Sequence, residues 1–287
     1  MRFAFKTANQ YSTWAEILAV WQEADRIDLF ESGWVFDHFY PIQSPQREAE
    51  IGGSCLEAWS MLGALSQATS RLRLGTLVTG VHHRHPAVLA NMVITLDIVS
   101  DGRIELGVGA GWNDEESSAY GIELGGLSER FDRFDEALQV LTSLMVNDVT
   151  DFAGRYFRLS GARCEPKAVQ KPHPPIVIGG VGEKRTIPLV ARYAQGWDVF
   201  DAPLRNDFAR KLDVLHERCS EIERDPKEIT VSSHVWFDPT AQDVAGVADR
   251  CEQLGAQGVH LAVIYLAPPL DPGILAPLAE ALAPLAA

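Results

Sequence analysis

The sequence is short of positive charge: 25 Lys and Arg stand against 39 Asp and Glu in 287 residues, a formal net charge of −14 at pH 7. An average surface of that sign repels phosphate backbones and anionic lipid headgroups, which argues against nucleic acid or a membrane as a partner. Cysteine is sparse as well. Cys55, Cys164, Cys219 and Cys251 are scattered with no CxxC pair, so a zinc knuckle, an iron–sulfur site and a disulfide framework are not expected. No apolar run reaches the roughly 18 residues that would span a bilayer, and the start MRFAFKTANQ lacks a charged-then-apolar signal pattern. A soluble, cytoplasmic protein is expected. A GxxxxGK[ST] phosphate loop is missing too. The first strand-like run ends in Thr7-Ala8-Asn9-Gln10, and Gly107-Val108-Gly109-Ala110-Gly111 has the wrong spacing and follows the fourth. An open, doubly wound dinucleotide sheet is therefore the weaker fold.

What the chain does have is alternation. With 46% hydrophobic and 22% charged residues, it has the balance of an ordinary globular protein. Eight short β-rich runs recur: 2–7, 33–37, 72–79, 103–108, 175–178, 196–200, 229–237 and 259–265. Between and after them lie stretches of helical period at 13–26, 55–69, 86–99, 128–145, 184–194, 206–224, 241–254 and 273–286. Pro86 suits a first helical turn, and Ser128 with Asp132 one turn on reads as a helix start. Such βαβα order implies a parallel sheet, and eight units predict an α/β (β/α)8 TIM barrel in one domain over residues 1–287. Residues 147–174 break the alternation with the hairpin-like DFAGRYFRL and a proline-rich exit. We read them as an excursion between strands four and five.

In such a barrel the chemistry sits at the carboxyl ends of the strands. The second strand ends in Asp37-His38, an acid beside an imidazole able to act as a general base. A loop-capping role for the pair is the plainer alternative. The third strand leads into Gly80-Val81 and the cluster His82-His83-Arg84-His85. Adjacent His82 and His83 would point to opposite sides if extended, so the spacing disfavours a metal. The fourth strand runs into Ala110-Gly111-Trp112-Asn113, small enough for backbone to approach a flat ligand, or simply a tight turn. After the fifth comes Gly179-Gly180-Val181-Gly182 and then Lys184, Arg185 and Thr186. A glycine-rich turn at a helix start with two cations is the best phosphate site in so acidic a chain.

The blocks GWVFDHFYPI, LEAWSMLGALSQATSRLRLGTLVTGVHHRHPAVLANMVITLDIVSDGRIELGVGAGWNDEESSAYGI, ERFDRFDEALQVL and CEPKAVQKPHPPIVIGGVGEKRTIPLVARYAQGW together resemble the F420-dependent branch of the luciferase-like monooxygenase superfamily. The resemblance runs from the second strand to the sixth. It implies a luciferase-like barrel whose deazaflavin, coenzyme F420, lies at the carboxyl end with its phosphate tail at Gly179, Gly180, Val181 and Gly182. It also implies a non-prolyl cis peptide at Gly80–Val81 behind the ring, ring contacts from Ala110, Gly111 and Asn113, and Asp37 and His38 beside ring and substrate. His38 would take or return the substrate proton as hydride passes to or from the ring. The sugar-phosphate dehydrogenases of the family carry a glutamate just after the strand-four glycine, where this chain has Trp112. An indole offers no such acid, so a hydrophobic substrate is expected, with Trp112 as an apolar wall or part of the scaffold. The alternatives are an FMN-dependent monooxygenase fed by a partner reductase, a metal-dependent hydrolase built on Asp37, His38 and His82 to His85, and a barrel that only binds ligand. A homodimer and a reductase supplying reduced flavin or F420 are the protein partners left open.

Overall fold

In the computed structural model, which describes residues 1–42, 52–200 and 206–286, the strands are β1 (Arg2–Thr7), β2 (Phe30–Val35), β3 (Arg73–Thr76), β4 (Thr79–Gly80), β5 (Ile104–Gly109), β6 (Thr150–Ala153), β7 (Arg158–Ala162), β8 (Ile176–Gly179), β9 (Gly196–Asp198), β10 (Thr230–Phe237) and β11 (Leu261–Leu266). The helices are α1 (Trp14–Ala24), α2 (Ala58–Ala68), α3 (Pro86–Val99), α4 (Asp114–Ala119), α5 (Leu127–Val146), α6 (Thr186–Tyr193), α7 (Phe208–Glu221), α8 (Val244–Ala256) and α9 (Leu275–Leu282). Parallel pairing runs β3-β2-β1-β11-β10-β9-β8-β5, and β5 returns to β3 through Leu74 opposite Ile104. The sheet thus closes into the expected (β/α)8 barrel, its third strand divided into β3 and β4. β6 and β7 pair antiparallel and stand apart from the barrel, which is the anticipated excursion.

Helices dock because glycines and aromatics interlock under them. A Cβ on Gly33 would lie 2.7 Å from both the Phe5 and Trp21 rings, so glycine in β2 is what lets α1 seat its buried tryptophan against β1. Phe5 meets Trp21 edge-on at 5.2 Å and Phe30 at 5.9 Å. Thr13 and Glu16 close a capping box at the start of α1, and Pro86 opens α3. At α5 the expected start is corrected: its N-cap is Gly126, and Ser128 already lies in the first turn.

The third strand corrects a second expectation. The non-prolyl cis bond joins Leu77 to Val78, not Gly80 to Val81. Gly80 is paired with Gly109 of β5, and the Val81 N–H donates to the Gly109 carbonyl at 3.0 Å. Those two residues therefore continue the ladder, and the irregularity falls in the gap between β3 and β4. No helix among the described residues is long and apolar enough to cross a membrane.

Candidate active site

At the carboxyl ends of the strands lies a cavity of about 820 Å³, within the range of small-ligand pockets, about 300–1,000 Å³. Its wall is built from side chains the strands deliver. After β2 the chain is held by Asn9, whose side-chain amide donates to the Phe36 and Leu56 carbonyls at 2.9 and 2.8 Å and accepts from the Phe36 N–H at 3.3 Å. That clamp sets the direction of the next two residues, Asp37 and His38, and both line the cavity.

Asp37 is 1% exposed and fully engaged. Arg84 grips it through two bonds of 2.5 and 3.2 Å and also reaches Glu57 at 2.6 Å, while His83 Nδ1 stands 3.7 Å away. Burial alone would push the carboxyl up, but His83 and Arg84 more than offset it and hold it below the ordinary aspartate range. Asp37 therefore pins the His82–His85 loop to the end of β2.

His38 has a different partner, one the sequence reading did not pick out. Its Nδ1 lies 2.6 Å from Glu116 Oε2, and the other carboxylate oxygen accepts from the Phe39 N–H at 2.7 Å. Burial raises the Glu116 carboxyl, but His38 and the Phe39 N–H draw it below its ordinary value. An ionised carboxylate only accepts, so Nδ1 must carry the hydrogen, and Nε2 is the remaining nitrogen on this cavity-lining ring. Glu116 sits on α4, a helix with no counterpart among the sequence expectations. Asn113 caps it by accepting from the Glu116 N–H at 3.2 Å, so this predicted ring contact lines the cavity while its side-chain oxygen starts α4. Trp112 is 61% exposed and meets the His38 ring edge-on at 5.6 Å. It is a rim residue, not buried scaffold.

Gly80, Ala110 and Gly111 all line the cavity, whereas Val81 is buried outside it and Val78 takes the lining position. The glycines also make room for a protein side chain. A Cβ on Gly80 or on Gly111 would fall 2.5 Å from His82 Cε1, and Gly111 has φ +86°. His82 Nε2 meets Ser117 Oγ at 3.1 Å, and that hydroxyl donates to the Asn113 carbonyl at 2.8 Å, so Nε2 is the protonated nitrogen. Burial, aided by His83, pushes this imidazole down to about 3. It is neutral at physiological pH.

The loop after β8 arrives at the same cavity through Gly179, Gly180, Val181, Gly182 and Thr186. Its backbone is held from behind: Trp197 Nε1 donates to the Gly180 carbonyl at 2.7 Å and Lys211 Nζ to the Val181 carbonyl at 3.1 Å. Lys184 and Arg185 do not line the cavity. Lys184 is exposed, and Arg185 pairs with Asp132 above the Phe131 ring. The cation that does line this end is Arg130 of α5, bonded to the Gly125 carbonyl at 2.8 Å and to Asp114 at 2.7 Å. Arg130 lies within the ERFDRFDEALQVL block, but nothing in its spacing marks it out from its helical neighbours.

Deeper polar residues were also missed by the sequence reading: Lys6 of β1, Asp198 of β9 and His234 of β10 all line the cavity. Lys6 Nζ donates to the Leu77 carbonyl at 2.8 Å, and burial, partly countered by Asp198, pulls the amine down to about 8. Among the described residues no three His, Cys, Asp or Glu side chains gather in a metal-binding arrangement. His38 and His82 are instead hydrogen-bonded to Glu116 and Ser117, and His83 stands 3.7 Å from Asp37.

Would a tricyclic deazaflavin with an anionic tail fit here? Val78 packs beside Gly109 and Gly179, where added Cβ atoms would meet its methyls at 3.0 and 3.2 Å. The Val78 methyls and the glycines beside them make an apolar surface of low relief, which suits the face of a flat ring. Beyond it the glycine turn, the Thr186 hydroxyl and the Arg130 guanidinium suit an anion. The residues fit the group.

The luciferase-like monooxygenase family matches residues 1–276. A phthiodiolone/phenolphthiodiolone dimycocerosates ketoreductase of Mycobacterium sp. (strain JLS) is 30% identical over 253 residues, covering 83% of this chain and 64% of that protein. An F420-dependent glucose-6-phosphate dehydrogenase of Amycolatopsis mediterranei is 33% identical over 172 residues, 60% of this chain and 47% of that one. The alignments to the first curated relatives span about half the length of each protein, 49% of the relative in each case. Among solved structures, an F420-dependent secondary alcohol dehydrogenase with an F420–acetone adduct superposes with a TM-score of 0.83 at 21% identity, over 98% of both chains.

Proposed function

Since this chain belongs to the luciferase-like monooxygenase family, we propose that it is an oxidoreductase that binds coenzyme F420 in the barrel-mouth cavity and exchanges hydride with a small, hydrophobic organic substrate. The observation that carries the reading is the placement of the Glu116–His38 pair and the glycine loop 179–182 on one cavity. Support also comes from the 33% identical F420-dependent glucose-6-phosphate dehydrogenase. The apolar part of the lining, with Phe36, Phe131, Phe200, Trp236 and Tyr265, favours a hydrophobic substrate.

When bound, the deazaflavin would supply a ring carbon that accepts or gives up a hydride. The protein's own residues do the rest. Gly179, Gly180 and Gly182 with Thr186 and Arg130 would hold the cofactor's anionic tail, and Ala110, Gly111 and Asn113 would contact its ring. In the oxidative direction His38 Nε2 takes the hydroxyl proton as the carbinol carbon loses hydride; in the reductive direction it returns that proton to the carbonyl oxygen. Glu116 keeps the ring in the tautomer that leaves Nε2 free for this exchange and stabilises the imidazolium once it forms. Asp37, tied to Arg84, positions His38 and the ring pocket without exchanging a proton itself. Positioning of the two reactants supplies much of the rate.

A parallel titration with oxidised F420 and with FMN, read by quenching of cofactor fluorescence, tests the assignment. Saturable binding of F420 at micromolar concentration, with weaker binding of FMN, is expected. Preference for FMN would point to the monooxygenase alternative, and binding of neither would overturn the oxidoreductase reading.

A further inference from the structure

That mechanism leaves the polar groups on one side of the cavity without a role. β9, β10, β11 and β1 are consecutive neighbours in the barrel, with Lys6 opposite Tyr265 and Tyr265 opposite Trp236. His234, two residues before Trp236, shares its face because strand side chains alternate. Asp198 completes the group, with Oδ2 at 3.4 Å from His234 Nε2. All five side chains line the cavity.

The polar atoms on this wall are unevenly satisfied. Asp198 accepts from the Ser232 hydroxyl at 2.9 Å, and Lys6 is bonded to the Leu77 carbonyl. Burial pushes the Asp198 carboxyl up, but His234, Lys6 and Ser232 more than offset it, so it stays ionised. Both ring nitrogens of His234 and the indole nitrogen of Trp236 are buried without a hydrogen-bond partner among the described residues, and the His234 side chain is only 3% exposed. The Asp198 carboxylate only accepts, so the hydrogen of His234 sits on Nε2 toward it and Nδ1 is an acceptor; the buried donor left without an acceptor is the Trp236 N–H, which is costly unless something accepts from it.

The surroundings say what that acceptor can be. The Lys6 and Asp198 charges cancel, and an anion would meet the ionised carboxylate beside His234. The frame is aromatic, with Trp236 against Tyr265 at 4.1 Å and Phe200 edge-on to His234 at 5.1 Å. The smooth, glycine-lined surface suited to a flat cofactor is formed by β5 and β8, on other strands than His234 and Trp236. We propose that the Trp236 indole N–H marks a second substrate subsite, which takes an uncharged carbonyl oxygen of a compound whose ring or chain lies among Phe200, Trp236 and Tyr265. The subsite selects neutral carbonyl compounds over hydrocarbons and over carboxylates. Only the occupant's identity as the substrate rests on the oxidoreductase reading; the recognition chemistry does not.

Binding of acetophenone, ethylbenzene and benzoate, measured by ligand-observed NMR on the cofactor-free and the F420-saturated protein, tests this. Wild-type protein is expected to bind acetophenone about tenfold more tightly than ethylbenzene, with benzoate weakest, because a site that presents a hydrogen-bond donor rejects analogues lacking the acceptor. Trp236→Phe and Trp236→Met should each reduce that ratio while leaving ethylbenzene binding within about twofold. An unchanged ratio in whichever variant folds, or a wild-type preference for benzoate, overturns the proposal. So does loss of F420 binding in Trp236→Phe, which would give this wall to the cofactor. If wild-type protein fails to bind F420 yet prefers acetophenone, the cofactor assignment falls and the subsite stands.

Discussion

His38 and Glu116, 78 positions apart in sequence, meet at 2.6 Å, so that the loop after β2 and the short helix after β5 are joined by one imidazole–carboxylate contact. Under the proposed function, the contact makes α4 part of the acid–base apparatus. Replacing Glu116 by Gln removes the obligate acceptor and allows the other His38 tautomer. Turnover should fall by about 10–100-fold, the usual cost of losing a partner that orients a functional histidine, with F420 affinity unchanged. Steady-state kinetics beside a cofactor titration checks both; an unaltered kcat would remove Glu116 from the mechanism.

Asp37 makes a pH prediction. Its folded pKa lies below that of the unfolded chain, so its contribution is complete above the unfolded value and is lost as pH falls through the folded one. Asp37→Asn should therefore cost about 3 kcal/mol of stability at pH 7, where it breaks a buried ion pair. The gap to wild type should shrink as the medium is taken well below pH 4. Urea unfolding at the two pH values measures it. A gap that widened in acid would contradict the Arg84 and His83 assignment.

Gly111 and His82 should be energetically coupled. Gly111→Ala forces a side chain into a left-handed backbone, worth about 1–2 kcal/mol by itself, and drives a Cβ to 2.5 Å from the His82 ring. Removing the ring with His82→Ala should relieve only the second part. The double variant is thus expected to be more stable than the sum of the single changes requires, by a coupling of about 0.5–3 kcal/mol. Strict additivity in thermal unfolding would show that the two residues do not contact.

At the tail end, Arg130 and Lys184 separate two explanations of anion binding. Arg130→Ala should raise the F420 dissociation constant about tenfold, or about 1.4 kcal/mol, with the loss largest at low ionic strength. Lys184→Ala, exposed and outside the cavity, should alter it by less than about twofold. The opposite ranking would return the tail to the start of α6.

The barrel was legible in the sequence because alternation, strand length and turn residues all act locally. Pro86–Val99 was placed to the residue, and the hairpin at 150–162 broke the period where expected. The glycine loop and the Asp37-His38 pair were legible for the same reason, being contiguous motifs at strand ends. Glu116, Arg130, Asp198 and His234 were not. Each is an ordinary charged or polar residue in its local window, and only closure of the barrel brings it to the cavity. Six residues from Asp114 to Ala119 were too short a helix to carry a periodic signal. The cis bond was misplaced by three residues because it depends on which part of the third strand keeps its ladder with β5, a tertiary matter.

Two imidazoles hang from a single turn of helix: Glu116 holds His38 and its neighbour Ser117 holds His82. Each residue added or removed within the helix ahead of Glu116 would swing both anchors by about 100° around the axis, unhooking them together. Apart from Asn113, Glu116 and Ser117, the rim between Trp112 and Tyr120 should consequently diversify by substitution rather than by length within the helix, so engineered changes in substrate scope there should exchange side chains while its residue count stays frozen.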